Sequence, residues 1–329
     1  MKKYQNIPYG LQDYLPLEYS HKETTENKII DCFKQSGYQM VETPILENYD
    51  VFCVGSGGFE AEDMFKLTDS NGSLLVLRPD ITMPIARMAA TKLKDEESLK
   101  LCYCGNVFHL KGEKNEGYKQ VTQVGIELMG DNSYKADAEC LIMAIKSLKA
   151  SGLNDFQIEV GQTQFFKGLM KDAGFDDESY EQMRRFVEMK DMLSMELMLK
   201  EKNIDLDLRN DILELPALYG GIEILETARK YSKNPLCKKA VENVEKVLKI
   251  VEQEGLIDYI SIDFSIVQSV HYYTGIVFKG ICPNLGYPLL TGGRYDNLVK
   301  NYGKDMPAVG FAMTSKHILI ALDREGQLL

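Results

Sequence analysis

Apolar positions along the chain fall first at helical and then at alternating spacing. Between 18 and 36, Ile29, Ile30, Cys32 and Phe33 gather on one side of a helix that Gly37 would end. Residues 38–41 read as a short strand stopped by Thr43-Pro44. Residues 50–63 hold Gly55, Gly57 and Gly58 among acidic residues and read as a mobile loop. Alternation resumes at 64–67, turns at Asp69-Ser-Asn-Gly72 and returns over 73–77, which predicts a hairpin. A helix at 83–93 follows, then long strands at 98–110 and 118–129 around the polar stretch 111–117. A helix at 133–148 and a strand at 155–160 come next, the strand ending in Gly161.

From 164 to 254 the pattern is helical and rich in Leu, Met, Lys and Glu, with stops at Gly174, Asn203 and Gly220-Gly221. It reads as an all-helical insertion of domain size. Strands return at 259–264, 271–279 and 287–290. A short helix at 295–301, a strand at 307–313 and a helix at 314–324 complete the chain. Hairpins and long sequential strands predict an α+β fold, a mainly antiparallel sheet with flanking helices. The chain divides into 1–163 and 255–329 as one core, with 164–254 inserted.

The 329 residues carry a formal net charge of −11. That balance argues against nucleic acid as the main partner, because phosphate binding draws on a Lys/Arg excess. The start, MKKYQNIPYG, lacks an apolar signal core. No apolar run approaches the roughly 18–20 residues of a membrane span. Seven scattered cysteines without a Cys-x-x-Cys pair, and four histidines without ligand spacing, predict no metal site and reduced thiols in a cytosolic protein.

Three stretches carry candidate chemistry. On the strand at 118–129, Gln123, Gly125 and Glu127 share a face, and the glycine leaves room above the sheet. Asp80 and Thr82 follow the rigid Arg78-Pro79 step. The stretch 268–278, QSVHYYTGIVF, reads as a strand on which Tyr272 and Tyr273 point to opposite faces, with Thr274-Gly275 and Gly292-Gly293 admitting close approach. Together they describe a small pocket of two carboxylates, an amide, phenols and glycines. It suits a ligand with an ammonium and further N–H donors, such as an amino acid. The plainer alternatives are a strand with one wet face, a local ion pair between Arg294 and Asp296 at a turn, and His271 and His317 as packed or surface residues.

The ordered motifs Ile7-Pro-x-Gly10…Asp13, Thr43-Pro-Ile-Leu-Glu47, Leu77-Arg-Pro-Asp-x-Thr82, Gly105-Asn-Val-Phe108…Gln123-x-Gly-x-Glu127, Tyr272-Tyr-Thr-Gly275, Gly292-Gly-Arg-Tyr-Asp296 and Ala308-Val-Gly-Phe-Ala312 closely resemble the catalytic core of histidyl-tRNA synthetase. The resemblance spans the chain outside the helical stretch. It implies a class II aminoacyl-tRNA synthetase-like core, dimerised through the N-terminal helix and its following strand. It also implies that Asp80, Thr82, Gln123, Glu127, Tyr272 and Tyr273 bind histidine.

Three arginines that serve the synthetase chemistry are replaced. His109 and His317 stand where the resemblance puts phosphate-binding arginines. Gln268 stands at the third position, with His271 in place of a nearby aspartate. Guanidinium binds phosphate in a bidentate fork and keeps its charge, which neutral His or Gln does not. Losing one such donor costs about 2.7–4 kcal/mol of transition-state stabilisation, so losing three predicts no adenylate formation and no catalytic residue. The sequence stops at Leu329, after the final helix, which predicts no C-terminal anticodon-binding domain.

Arg78-Pro-Asp-Ile-Thr82, followed by Ala86-Arg87 and Ala89-Ala90-Thr91, resembles the ATP phosphoribosyltransferase regulatory subunits, synthetase paralogues of bacterial histidine biosynthesis. That resemblance implies a cytoplasmic, non-catalytic chain without cofactor. Its implied partner is the short-form ATP phosphoribosyltransferase catalytic subunit, joined by a homodimer within a hetero-octamer, with L-histidine as feedback effector. Members of that family often keep an arginine after Phe108, so His109 counts against nucleotide binding there. The alternative is a truncated histidyl-tRNA synthetase-like histidine-activating enzyme, against which the missing arginines count. An RNA-binding paralogue is a third reading, against which the acidic balance counts.

Overall fold

Pro16 opens helix α1 (Pro16–Gln35), where a proline in the first turn loses no helical hydrogen bond. Glu18 reaches back to accept the Leu15 N–H at 3.0 Å, and Ile29 and Phe33, four residues apart, bury completely. The computed structural model describes residues 6–54, 59–111, 117–231, 234–267, 272–283 and 285–328. Gln268 and His271, Gly55, Gly57 and Gly58, and most of the 111–117 stretch lie outside the described residues.

After α1 come β1 (Gln39–Met40) and β2 (Leu46–Asn48), then the hairpin β3 (Lys66–Thr68) and β4 (Leu74–Leu77). Asp69 turns that hairpin by accepting the N–H groups of Asn71 and Ser73, each at 2.8 Å, and Gly72 supplies the positive φ of 84°. Strands β2, β4 and β3 form a three-stranded sheet. The loop expected over 50–63 has 3-10 turns at Tyr49–Phe52 and Ala61–Asp63, and Phe52 is fully buried.

Helix α2 (Thr82–Thr91), β5 (Leu99–Phe108), β6 (Gln120–Met129), α3 (Tyr134–Ser151) and β7 (Gln157–Gln162) follow. The stretch expected to be all-helical holds α4 (Thr163–Asp172), α5 (Asp177–Glu188), α6 (Met192–Glu201), α7 (Leu206–Leu213), α8 (Ile224–Tyr231) and α9 (Pro235–Gln253). It also holds a two-residue strand, β8 (Tyr219–Gly220), so the all-helical expectation is corrected. Gly220 pairs with Ile262 of β9 (Ile260–Asp263) and caps the sheet edge. The helices do not form a separate core. Phe165, Cys237 and Val241 belong to the same buried cluster as Ile29 and Phe311.

The chain ends with β10 (Ile276–Ile281), β11 (Leu290–Arg294), β12 (Ala308–Thr314) and α10 (Ser315–Arg324). Two expected strands shift: β10 starts at Ile276 rather than 271, and β11 begins where a strand was expected to end. The short helix expected at 295–301 is a 3-10 turn, Val299–Tyr302. The stretch before β10 bends because its backbone is bonded sideways. Thr274 N–H donates to the Arg294 carbonyl at 2.8 Å, and the Gly275 carbonyl accepts from Thr163 N–H at 3.0 Å.

The large sheet has the order β1-β5-β6-β12-β11-β10-β7-β9-β8, antiparallel except for β1–β5 and β7–β9. One face of β6 and β12 presents Val124, Ile126, Leu128, Val309, Phe311 and Met313 to a core shared with α1, α3 and α10. The opposite face packs Leu101, Tyr103, Met129 and Ala308 with residues of α2 and the small sheet. No helix among the described residues is long and apolar enough to cross a membrane.

Candidate ligand cavity

Glu127 of β6 sits opposite Gly310 of β12 in the antiparallel ladder. A Cβ at Gly310 would collide with the Glu127 carboxylate, so glycine there lets the carboxylate lie across the neighbouring strand. Glu127 is 1% exposed. Its Oε1 accepts from Thr82 Oγ1 at 2.7 Å, and its Oε2 accepts from Tyr295 Oη. Burial drives its pKa up to about 8, against the lowering effect of these two hydrogen bonds.

Asp80 lies just before α2. Its Oδ1 accepts the Met83 N–H at 2.7 Å, tying down the first turn of the helix. Burial raises Asp80 to about 6, again opposed by hydrogen bonds from the turn. Arg78 points elsewhere: its guanidinium donates to the Asn106 carbonyl at 2.8 Å and to Thr43 Oγ1 at 3.1 Å. Two carboxylates thus share a buried site whose hydrogen-bond donors are hydroxyls and backbone.

Tyr272 and Tyr273 do not face opposite sides of a sheet, as an extended strand would require. Their ring centroids are 4.9 Å apart, and Tyr272 stands edge-on to Tyr295 at 5.7 Å. Gly293 admits the Tyr273 ring, since a Cβ there would come 2.7 Å from its Cδ1. Both tyrosines line one cavity of about 600 Å³, together with Asp80, Thr82, Gln123 and Glu127. All six residues singled out in the sequence therefore converge. Gln123 Oε1 is buried there without a hydrogen-bond partner among the described residues.

Two expectations about the walls need correction. The room above Gly125 is filled by the Tyr103 ring from the paired position on β5. Tyr295, the second donor to Glu127, was not among the expected site residues. Its signal in the sequence is the tyrosine after Gly292-Gly293-Arg294, where the pattern predicts only the start of a short helix.

The rest of the cavity lining has another composition. Tyr287 packs on His317 with centroids 4.3 Å apart, and His317 Nδ1 lies 2.7 Å from the Pro288 carbonyl. Lys111 pairs with Asp63 at 2.7 Å, and both line the cavity together with Phe59 and His109. No arginine lines the cavity among the described residues. Nor do the described residues gather three or more His, Cys, Asp or Glu in a metal-holding group.

Arg294 and Asp296 form the expected local ion pair at 2.9 Å, but the contact reaches further. Arg294 Nε also meets Asp137 Oδ1 of α3 at 2.7 Å, and both residues are buried.

A family profile described as histidyl-tRNA synthetase matches residues 10–318. The chain is 44% identical over 319 residues to an ATP phosphoribosyltransferase regulatory subunit from Acetivibrio thermocellus, spanning 97% of this chain and 76% of that one. It is 40% identical over 320 residues to another so named from Ruminiclostridium cellulolyticum, with 97% and 76% spanned. A crystal structure of an ATP phosphoribosyltransferase regulatory subunit/histidyl-tRNA synthetase from Bacillus halodurans C matches with a TM-score of 0.90 at 33% identity, over 96% of this chain and 83% of that one.

Proposed function

The chain belongs to the family of ATP phosphoribosyltransferase regulatory subunits, built on the histidyl-tRNA synthetase fold, and from that premise we propose that its cavity binds L-histidine as a feedback effector. The family's role is regulatory, not catalytic. One observation carries the ligand assignment: Glu127 and Asp80 lie buried beside each other in an open cavity, with neutral donors as their hydrogen-bond partners. An ammonium accepted by one carboxylate and an imidazole N–H accepted by the other would complete that arrangement. Gln123 offers an acceptor on the same wall, and Tyr272 and Tyr273 supply flat apolar surface. The finished amino acid would then report on the pathway that makes it.

In this reading the chain acts as a homodimer within a hetero-octamer with the short-form catalytic subunit, in the cytoplasm, without cofactor or nucleic acid. Residues 164–254 stand as an insertion between the two halves of a synthetase-like core. His109 and His317, which stand where the resemblance puts phosphate-binding arginines, both line the cavity, and neutral imidazole does not supply the bidentate charge that adenylate chemistry needs on its phosphates.

Feedback requires histidine to prefer one state of the assembly, with coupling typically of about 1–3 kcal/mol. Titration calorimetry on the purified chain is expected to show histidine binding, weakened in Glu127→Ala. The reconstituted complex should lose phosphoribosyl transfer as histidine is added. A transfer rate indifferent to histidine would refute the assignment.

A further inference from the structure

The loop that carries Tyr272 and Tyr273 is tied to the helical segment by a closed ring of side-chain and backbone hydrogen bonds, and none of the residues in the ring lines the cavity. The ring starts at Thr274, whose Oγ1 donates to Asp296 Oδ2 at 3.1 Å while accepting the Asp296 N–H at 3.0 Å. Asp296 Oδ1 accepts from Arg294 Nη1 at 2.9 Å, and Arg294 Nε donates to Asp137 of α3 at 2.7 Å. Asp137 Oδ2 accepts from Asn243 of α9 at 3.5 Å. Asn243 Oδ1 accepts from Gln162 Nε2 at 2.9 Å at the end of β7. Gln162 Oε1 caps α4 by accepting the Gln164 N–H at 3.0 Å. Gln164 Nε2 closes the ring on the Thr274 carbonyl at 2.7 Å.

Resting on the ligand reading above, we infer that this ring is a positioning device that couples what occupies the cavity to helices α4 and α9. The geometry gives it little slack. The Gly275 carbonyl, next to Thr274, accepts from both the N–H and the Oγ1 of Thr163, the first residue of α4. Moving the tyrosine pair therefore requires breaking bonds to the first turn of α4 or moving that turn as well. Gln162, Asp137 and Arg294 are buried, so each broken bond would strand a polar group away from water. A ligand that fixes Tyr272 and Tyr273 removes motion from the loop, and the ring passes that restriction to the helices.

Hydrogen exchange and calorimetry on the full chain test this. In the wild type, L-histidine should slow exchange in the first turn of α4 and around Asn243. Asn243→Leu cuts two links of the ring at a distance from the cavity. It should still bind histidine but lose the slowing in α9, and a response equal to wild type would overturn the inference. Thr274→Val should weaken histidine binding by about three- to tenfold, the equivalent of one lost hydrogen bond, with Thr274→Ser restoring it. A purely structural threonine would lower thermal stability and leave the affinity of the folded fraction unchanged. If the wild type binds no histidine, the ligand reading fails, and the ligand-free proteins decide the ring. Asn243→Leu should then exchange faster at 272–275, and an unchanged rate there would overturn the coupling whatever the cavity holds.

Discussion

Two acidic centres lie buried on opposite faces of the same sheet, and they are finished differently. On one face, Asp137 meets the guanidinium of Arg294 at 2.7 Å with Asp296 on its other side. On the other, Glu127 and Asp80 are held by a threonine hydroxyl, a tyrosine hydroxyl and a backbone N–H. The first centre has its countercharge built in and joins α3 to β11. The second has its carboxylates aligned and a cavity in front of them where a countercharge would go. A buried carboxylate completed by a cation serves structure, whereas one completed only by neutral donors keeps its affinity for a positive group.

The sharpest break of that contrast is Arg294→Leu. It leaves Asp137 buried without its cation and should cost about 3–5 kcal/mol of stability in urea unfolding. A loss below about 1 kcal/mol would mean that the ion pair is not structural. Next comes Gly310→Ala, whose methyl would displace the Glu127 carboxylate. Overpacking of this kind should cost about 1–3 kcal/mol and also weaken histidine binding in calorimetry. Wild-type affinity in that variant would remove Glu127 from the ligand.

A subtler comparison uses pH. The folded Glu127 holds its proton up to about 8, whereas its ordinary value is 4.5, so the folded state binds more protons than the unfolded one between these limits. Stability from this group is complete below pH 4.5 and is lost as pH rises through 8. Asp80 acts in the same direction between 3.8 and about 6. The melting temperature of the ligand-free protein should therefore fall between pH 6 and 8.5, and Glu127→Gln should flatten that fall. An equal slope in both proteins would contradict a protonated Glu127. The smallest expected effect is Tyr273→Phe, which should weaken histidine binding by about 0.5–1.5 kcal/mol and leave the unfolding curve in place.

Much of this arrangement was legible in the chain because local chemistry dictated it. The Asp69–Gly72 turn, the apolar face of α1 and the ten-residue strands β5 and β6 follow from turn residues and periodicity. Gln123 and Glu127 share a wall because a strand repeats every two residues. What stayed hidden depended on partners distant in sequence. Periodicity could not show that Tyr103 covers Gly125, since that needs the register of β5 against β6. Nor could it bend Tyr272–Gly275 out of a strand, because the bonds that do so come from Thr163, Gln164 and Arg294. Tyr295 escaped for a related reason: its hydroxyl reaches Glu127, 168 residues earlier in the chain.

The parallel pairing of β7 with β9 has a consequence for how the molecule assembles. Ile158 meets Ile260 in that ladder, with the whole helical segment strung between them. Closing so long a loop in an extended chain is entropically costly, and contacts of high sequence separation slow folding. Compaction of α4 through α9 shortens the loop before the strands must meet. The pairing of β7 with β9 is therefore expected to gain amide protection only after α4 through α9 have compacted, which pulse-labelled hydrogen exchange during refolding would read directly.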